Sequence, residues 1–138
     1  MKKVIIDTNT LISFVTDRNI SQQKKSEKLF EEASRLKFTV FCHQNVLTEF
    51  VYVMEKIYKT RKEKINEIIS DLFLMSGIEL IHGVNMKHVL RLWPTEIPDY
   101  GDALLASLCK QTKNSSIATF DRKFKNALKK QSLSIYMF

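Results

Sequence analysis

Lys3-Val4-Ile5-Ile6-Asp7-Thr8-Asn9 is an apolar run that stops on a carboxylate. Its length and β-branched content read as a strand. Apolar on both faces, it suits the middle of a parallel sheet covered by helices on each side. Asp7 then falls at the carboxyl end of that strand, where open α/β sheets hold their ligands. One acid there is a weak signal, so the weight falls on whether other strands bring carboxylates to the same edge.

Outward from that strand, helical and strand patterns alternate. Thr8 to Asp17 carries Leu11, Ile12, Phe14 and Val15 and reads as a short helix. Ser21 is the expected cap of a second helix through Leu36, with Leu29, Phe30, Ala33 and Leu36 facing inward. Phe38–Cys42 is a second strand, and about 45–59 a long helix whose apolar positions, among them Val46, Leu47, Phe50 and Met54, recur at helical spacing. A helix over about 62–76 has Gly77 as its expected C-cap. Ile78–Ile81 is a third strand, and Asn85–Trp93 a short helix ended by Pro94. Asp99 is placed to cap a helix that runs on through Cys109. Ser116–Phe120 is a fourth strand ending at Asp121, Arg122–Lys130 a basic helix, and Leu133–Phe138 a last strand. This alternation predicts an α/β, three-layer sandwich around a mainly parallel sheet of about five strands.

A chain of 138 residues is expected to form a single domain over 1–138. At this size roughly 68% of the unfolded chain's surface can be buried, and the 44% hydrophobic content supplies a core. No apolar run is long enough to span a bilayer. Asp7 interrupts the amino-terminal apolar residues too early for a signal-peptide core. Cys42 and Cys109 lie apart in apolar surroundings, so buried thiols in a cytoplasmic protein are expected. The three glycines, Gly77, Gly83 and Gly101, are too scattered for a phosphate-binding glycine loop.

Lys+Arg 22 against Asp+Glu 15 gives a net charge of +7, which favours an anionic partner. Against that background the acids at strand tips stand out. Asp7 ends the first strand, Glu49 enters the helix after the second, Asp102 the helix after the third, and Asp121 follows the fourth. In a parallel sheet all four points share one edge. The bland reading places Glu49 on the border of its apolar stripe and Asp99 at a helix dipole. Four converging carboxylates, however, repel one another unless a cation joins them. Oxygen-only donors select a hard ion, Mg2+ or Mn2+, and with no His or Cys at ligand spacing zinc is disfavoured. Such an ion on a basic protein suits phosphodiester cleavage, the metal taking the scissile phosphate and lysines its neighbours. Lys56, Lys59, Arg61, Lys62 and Lys64, with Arg122, Lys123 and Lys125, are candidate backbone contacts, although a solvated helix surface accounts for most of them.

Asp7-Thr8-Asn9, Glu49 in its apolar helix, Asp102-Ala103-Leu104-Leu105-Ala106 and Thr119-Phe120-Asp121-Arg122-Lys123-Phe124 together resemble the PIN-domain ribonucleases, in particular the VapC-type toxins of toxin–antitoxin pairs. The resemblance spans Asp7 to Asp121. It implies a metal-dependent endoribonuclease acting on RNA with Asp7, Glu49, Asp102 and Asp121 as the acidic quartet. Asp7, Asp102 and Asp121 would hold Mg2+, and Glu49 would hold a metal-bound or attacking water. Thr119 would orient the fourth acid, with Asn9 and Asp99 as accessory residues. It also implies a homodimer and a small antitoxin protein whose tail blocks the acidic groove. Two competing readings remain open at this point. One is a non-catalytic PIN-like module that binds RNA or protein. The other is a haloacid-dehalogenase-like phosphatase, echoed by Asp7-Thr8-Asn9-Thr10, although Asn9 stands where that chemistry needs an acid.

Overall fold

Val4, Ile5 and Ile6 are fully buried in succession. Successive residues of a strand face opposite ways, so both faces of this strand are covered. The computed structural model describes residues 1–138. It begins with β1 (Lys3–Ile6), α1 (Thr8–Val15) and α2 (Ile20–Ser34), followed by β2 (Thr39–His43), α3 (Gln44–Lys56) and α4 (Lys62–Leu74). Then come β3 (Ile78–Ile81), α5 (Met86–Leu92), α6 (Tyr100–Gln111), β4 (Ser115–Ala118) and α7 (Arg122–Lys130). The four strands form one parallel sheet in the order β3-β2-β1-β4. The chain therefore builds outward from β1 on one side and returns to β1's other side for β4. The switch point lies between β1 and β4, and the crevice beyond their carboxyl ends is where such sheets hold ligands.

The core is a single cluster of 30 buried apolar residues. α6 carries much of it, since Ala103 through Cys109 are all buried. The alanines let this helix lie close against its neighbours. No helix is long and apolar enough to cross a membrane. Cys42 and Cys109 are free and buried. Burial pushes the Cys42 thiol up to about 12, so it is unreactive at neutral pH.

Several expectations shift. The sheet has four strands rather than about five, because the last segment meets β4 through a single parallel bridge, Ile117 to Ile135. Tyr136 N still donates to the Ile117 carbonyl, so the segment lies along β4 without forming a ladder. Asn19, not Ser21, caps α2, its Oδ1 accepting from Gln22 N at 3.0 Å. Leu36 lies outside α2 with φ +58° and is exposed, so it is no part of the inward face. Gly77 follows the α4 cap, Met75, by two residues. It takes φ +80°, and a Cβ there would collide with the Ala33 carbonyl. Only glycine fits that close approach.

Candidate active site

Thr10 explains where the Asp7 carboxylate sits. Its backbone N–H and its hydroxyl lie 2.8 and 2.7 Å from Asp7 Oδ1, which makes Asp7 the N-cap of α1. The same hydroxyl is 3.0 Å from the Ala118 carbonyl at the tip of β4. One side chain thereby ties the acid to both strands that border the switch point. Thr119, fully buried, continues this on the β4 side: it accepts from Asp121 N at 3.1 Å and hydrogen-bonds the Asp7 carboxylate. Thr119, expected to orient the fourth acid, meets that acid's backbone N–H rather than its carboxylate and contacts the first acid directly.

Asp121 caps α7, its Oδ1 accepting from Lys123 N and Phe124 N. Asp99 caps α6 and accepts from Asp102 N at 2.9 Å. Asp102 thus stands on the first turn of α6 with its own carboxylate free of hydrogen bonds. Glu49 sits on α3, where Thr8 Oγ1 and Asn45 Nδ2 donate to its Oε1 at 3.3 and 3.0 Å. Its other oxygen accepts no hydrogen bond from the protein.

These residues meet in one pocket of about 190 Å3, lined by Asp7, Asn9, Glu49, Asp99, Asp102 and Asp121 together with Thr8 and Gly101. Every acid and the Asn9 singled out on the sequence reach it; Thr119 supports it from behind. A larger polar cavity of about 620 Å3 lies elsewhere, around Lys2, Lys110, Ser116 and Gln131, and no acid lines it.

The electrostatics match the crowding. Burial raises the Asp102 carboxyl to about 7, with the charges of Asp99, Asp7, Asp121 and Glu49 adding to the effect. Burial likewise raises Asp7 against the opposing bonds from Thr119 and Thr10, and it raises Glu49 with help from Asp99. None of the five acids takes part in an ion pair; those in the molecule join Arg35 to Glu31, Lys56 and Lys62 to Glu55, Arg61 to Glu63 and Lys64 to Glu67. A protein with 22 basic residues leaves its densest acidic cluster without a basic partner.

No three acidic, His or Cys side chains stand close enough to chelate an ion jointly in this arrangement. The donor set still fits a hard divalent cation. Mg2+ retains several waters and takes only one or two carboxylates directly, and every acid here is an oxygen donor within one pocket.

Three contributors escaped the sequence. Gly101 was read only as a scattered glycine, yet a Cβ there would come within 2.9 Å of Glu49 Oε1 and 3.2 Å of Asp99 Oδ1. Asn45 holds Glu49, and Arg18 donates to the backbone carbonyl of Asn9 at 3.2 Å. The Glu49–Asn45 pair has the i,i+4 spacing that signals a shared helix face. Gly101 and Arg18 had no such local signature.

The chain is thus a parallel α/β domain whose strand order reverses beside a nest of unpaired acids. Its family is shown directly: the PIN domain model matches residues 4–130, and the chain belongs to the PIN-domain family. It is similar to a VapC ribonuclease of Aquifex aeolicus (strain VF5), with 23% identity over 121 residues covering 88% of this chain and 89% of the relative. Its fold is shared with a chain of VapBC2 from Rickettsia felis, solved bound to a DNA fragment from their promoter, at a TM-score of 0.66 and 20% identity over 99% of this chain and 98% of that one. The PIN domain endonuclease Utp24 shares it at a TM-score of 0.56 and 20% identity, covering 93% of this chain and 77% of that one.

Proposed function

We propose that this PIN domain is a Mg2+- or Mn2+-dependent endoribonuclease, the toxin of a toxin–antitoxin pair, with Asp7, Glu49, Asp102 and Asp121 as its catalytic acids. The observation that carries the reading is the convergence of these acids in one pocket with no basic partner. Family membership and the VapC relative support it.

In this reading Asp7, Asp102 and Asp121 hold the ion, and Asp99 and Asn9 are accessory. The ion, when bound, supplies Lewis-acid stabilisation of the phosphate and of the leaving oxygen. The protein supplies placement. Asp7 is locked between β1 and β4 by Thr10 and Thr119. Glu49, fixed on one oxygen by Thr8 and Asn45, uses the other to take a proton from the attacking water. Its raised proton affinity improves it for that role. Water oxygen bonds to phosphorus as the bond to the leaving ribose oxygen breaks, and the leaving oxygen is protonated from solvent.

The proposed RNA path runs along α7. That helix carries Arg122, Lys123, Lys125, Lys129 and Lys130 with no acid after its Asp121 cap, and none of the five is ion-paired. Most of the α3–α4 basic residues are instead paired with neighbouring glutamates. A homodimer, a cytoplasmic setting and an antitoxin whose tail covers the acidic pocket belong to the same proposal.

The test is cleavage of a mixed, structured RNA pool by purified protein with Mg2+, Mn2+ or EDTA, alongside Asp7→Asn. That change keeps an oxygen for Thr10 and removes the charge. Metal-dependent cutting that the variant loses is the expected result. RNA binding without cutting in either protein would favour the silent module. Phosphate release from small phosphoesters alone would move the assignment to the phosphatase.

A further inference from the structure

Phe120, next in the chain to the Asp121 of the carboxylate pocket, lines a further cavity of about 350 Å3 walled by aromatic rings and lysines. Phe120 and Phe138 stack with centroids 4.3 Å apart and planes at 18°, and Tyr136 meets Phe138 edge-on at 5.2 Å. Met137 stands at the mouth, 85% exposed. Lys25 comes from α2, while Lys125 and Lys129 come from α7. The two α7 lysines are four residues apart and share a helix face. No acidic side chain lines the cavity, and the acid that acts on Tyr136 is Glu32, outside the lining. Its position matters as much as its chemistry. Phe120 immediately precedes Asp121, and α7 starts at that acid and carries Lys129 about 12 Å further along its axis.

Rings beside unpaired ammonium groups are the two parts of a single-strand nucleic-acid platform, where a base stacks and the flanking phosphates meet lysines. We propose that this cavity is a subsite for single-stranded RNA, taking one unstacked base against Phe138 and Tyr136 and the neighbouring phosphates on Lys125, Lys129 and Lys25, a few nucleotides from the bond cut at the acidic pocket. This rests on the nuclease reading above and adds to it a preference for unpaired RNA on one side of the cut.

The experiment is equilibrium binding of a labelled single-stranded RNA carrying 2-aminopurine to the full chain in EDTA, where no cleavage intervenes. Wild type is compared over a salt series with Phe138→Ala, with the pair Lys125→Ala and Lys129→Ala, and with Met137→Glu. Stacking loss predicts that Phe138→Ala weakens binding about 5-fold or more, reduces 2-aminopurine quenching and leaves the salt slope unchanged. Losing two phosphate contacts predicts a flatter slope in the lysine pair, by about 1.4 in log Kobs against log[salt]. Met137→Glu, at an exposed position that folding does not depend on, should weaken binding by placing a carboxylate at the mouth. Equal affinity in all four proteins, with wild type still cutting RNA in Mg2+, would overturn the subsite and leave the nuclease standing. A wild type that neither binds nor cuts RNA would remove both.

Discussion

Gly101 and Asp102 are neighbours in the chain, and each controls a different property of the acidic pocket. Gly101 keeps the space that Glu49 and Asp99 occupy. In Gly101→Ala the new methyl must displace the flexible end of Glu49 rather than backbone, so the fold should survive. Moving a catalytic group by around 1 Å costs up to about 100-fold in rate, and a 10- to 100-fold fall in RNA cleavage with an unchanged melting temperature is the expected outcome. Wild-type rates would show that Glu49 does not need this placement. Asp102 controls pH dependence. Its carboxyl ionises at about 7 in the folded metal-free protein against 3.8 unfolded. Between those values the folded state binds more protons than the unfolded state, so stability falls as pH rises from about 4 to about 7 and levels off above. Allowing for solvent screening of a partly exposed group, the change is about 1–2 kcal/mol. Chemical denaturation in EDTA across that window, for wild type and Asp102→Asn, checks it. The variant should be the more stable of the two at pH 7, and its own profile should lack most of the decline.

Three of the site acids are also helix caps: Asp7 for α1, Asp99 for α6 and Asp121 for α7. The pocket is therefore assembled from the starts of elements, and cap and charge can be separated by substitution. Asn caps a helix as well as Asp does, whereas Ala costs about 1 kcal/mol. Asp121→Asn should keep stability within about 0.5 kcal/mol of wild type and lose cleavage, while Asp121→Ala should lose both; urea titration with a parallel RNA assay separates them. That double duty is also why so much of the site was legible in the sequence. An apolar strand followed by an acid marks a sheet edge and a helix start together, and β1, β3 and α7 appear where the pattern put them. Reading failed where long-range contacts decide. The Leu133–Phe138 pattern is strand-like, but its backbone meets β4 in a single bridge. Its aromatic side chains pack on Phe120 and Phe38 instead. Asn19 took the α2 cap from Ser21 because the helix begins two residues earlier than its apolar face announces. Gly101's role needed the distance to Glu49, 52 residues away in sequence, which no local pattern encodes.

At the scale of the whole molecule, a net charge of +7 is divided unevenly, with unpaired acids gathered at the switch point and unpaired lysines along α7. The uneven division costs stability in the acidic region, where Asp7, Glu49 and Asp102 all have raised proton affinity. A cation that binds only the folded pocket offsets that cost by mass action. Thermal unfolding with Mg2+ or Mn2+ should therefore run above unfolding in EDTA, by about 2.7 kcal/mol of added stability once free ion is about 100 times its Kd. Monovalent salt at matched ionic strength controls for screening, which relieves repulsion without filling the site. Asp102→Asn should start from higher metal-free stability and gain less from the divalent ion, because in the proposed site the same carboxylate is both the strained group and a ligand. Lys129→Ala, at the other pole, should leave the metal response intact. Equal melting temperatures with ion and with chelator, in wild type and Asp102→Asn alike, would show that the acids do not gather a cation, and the proposed chemistry would have to be rebuilt on the basic helix α7 alone.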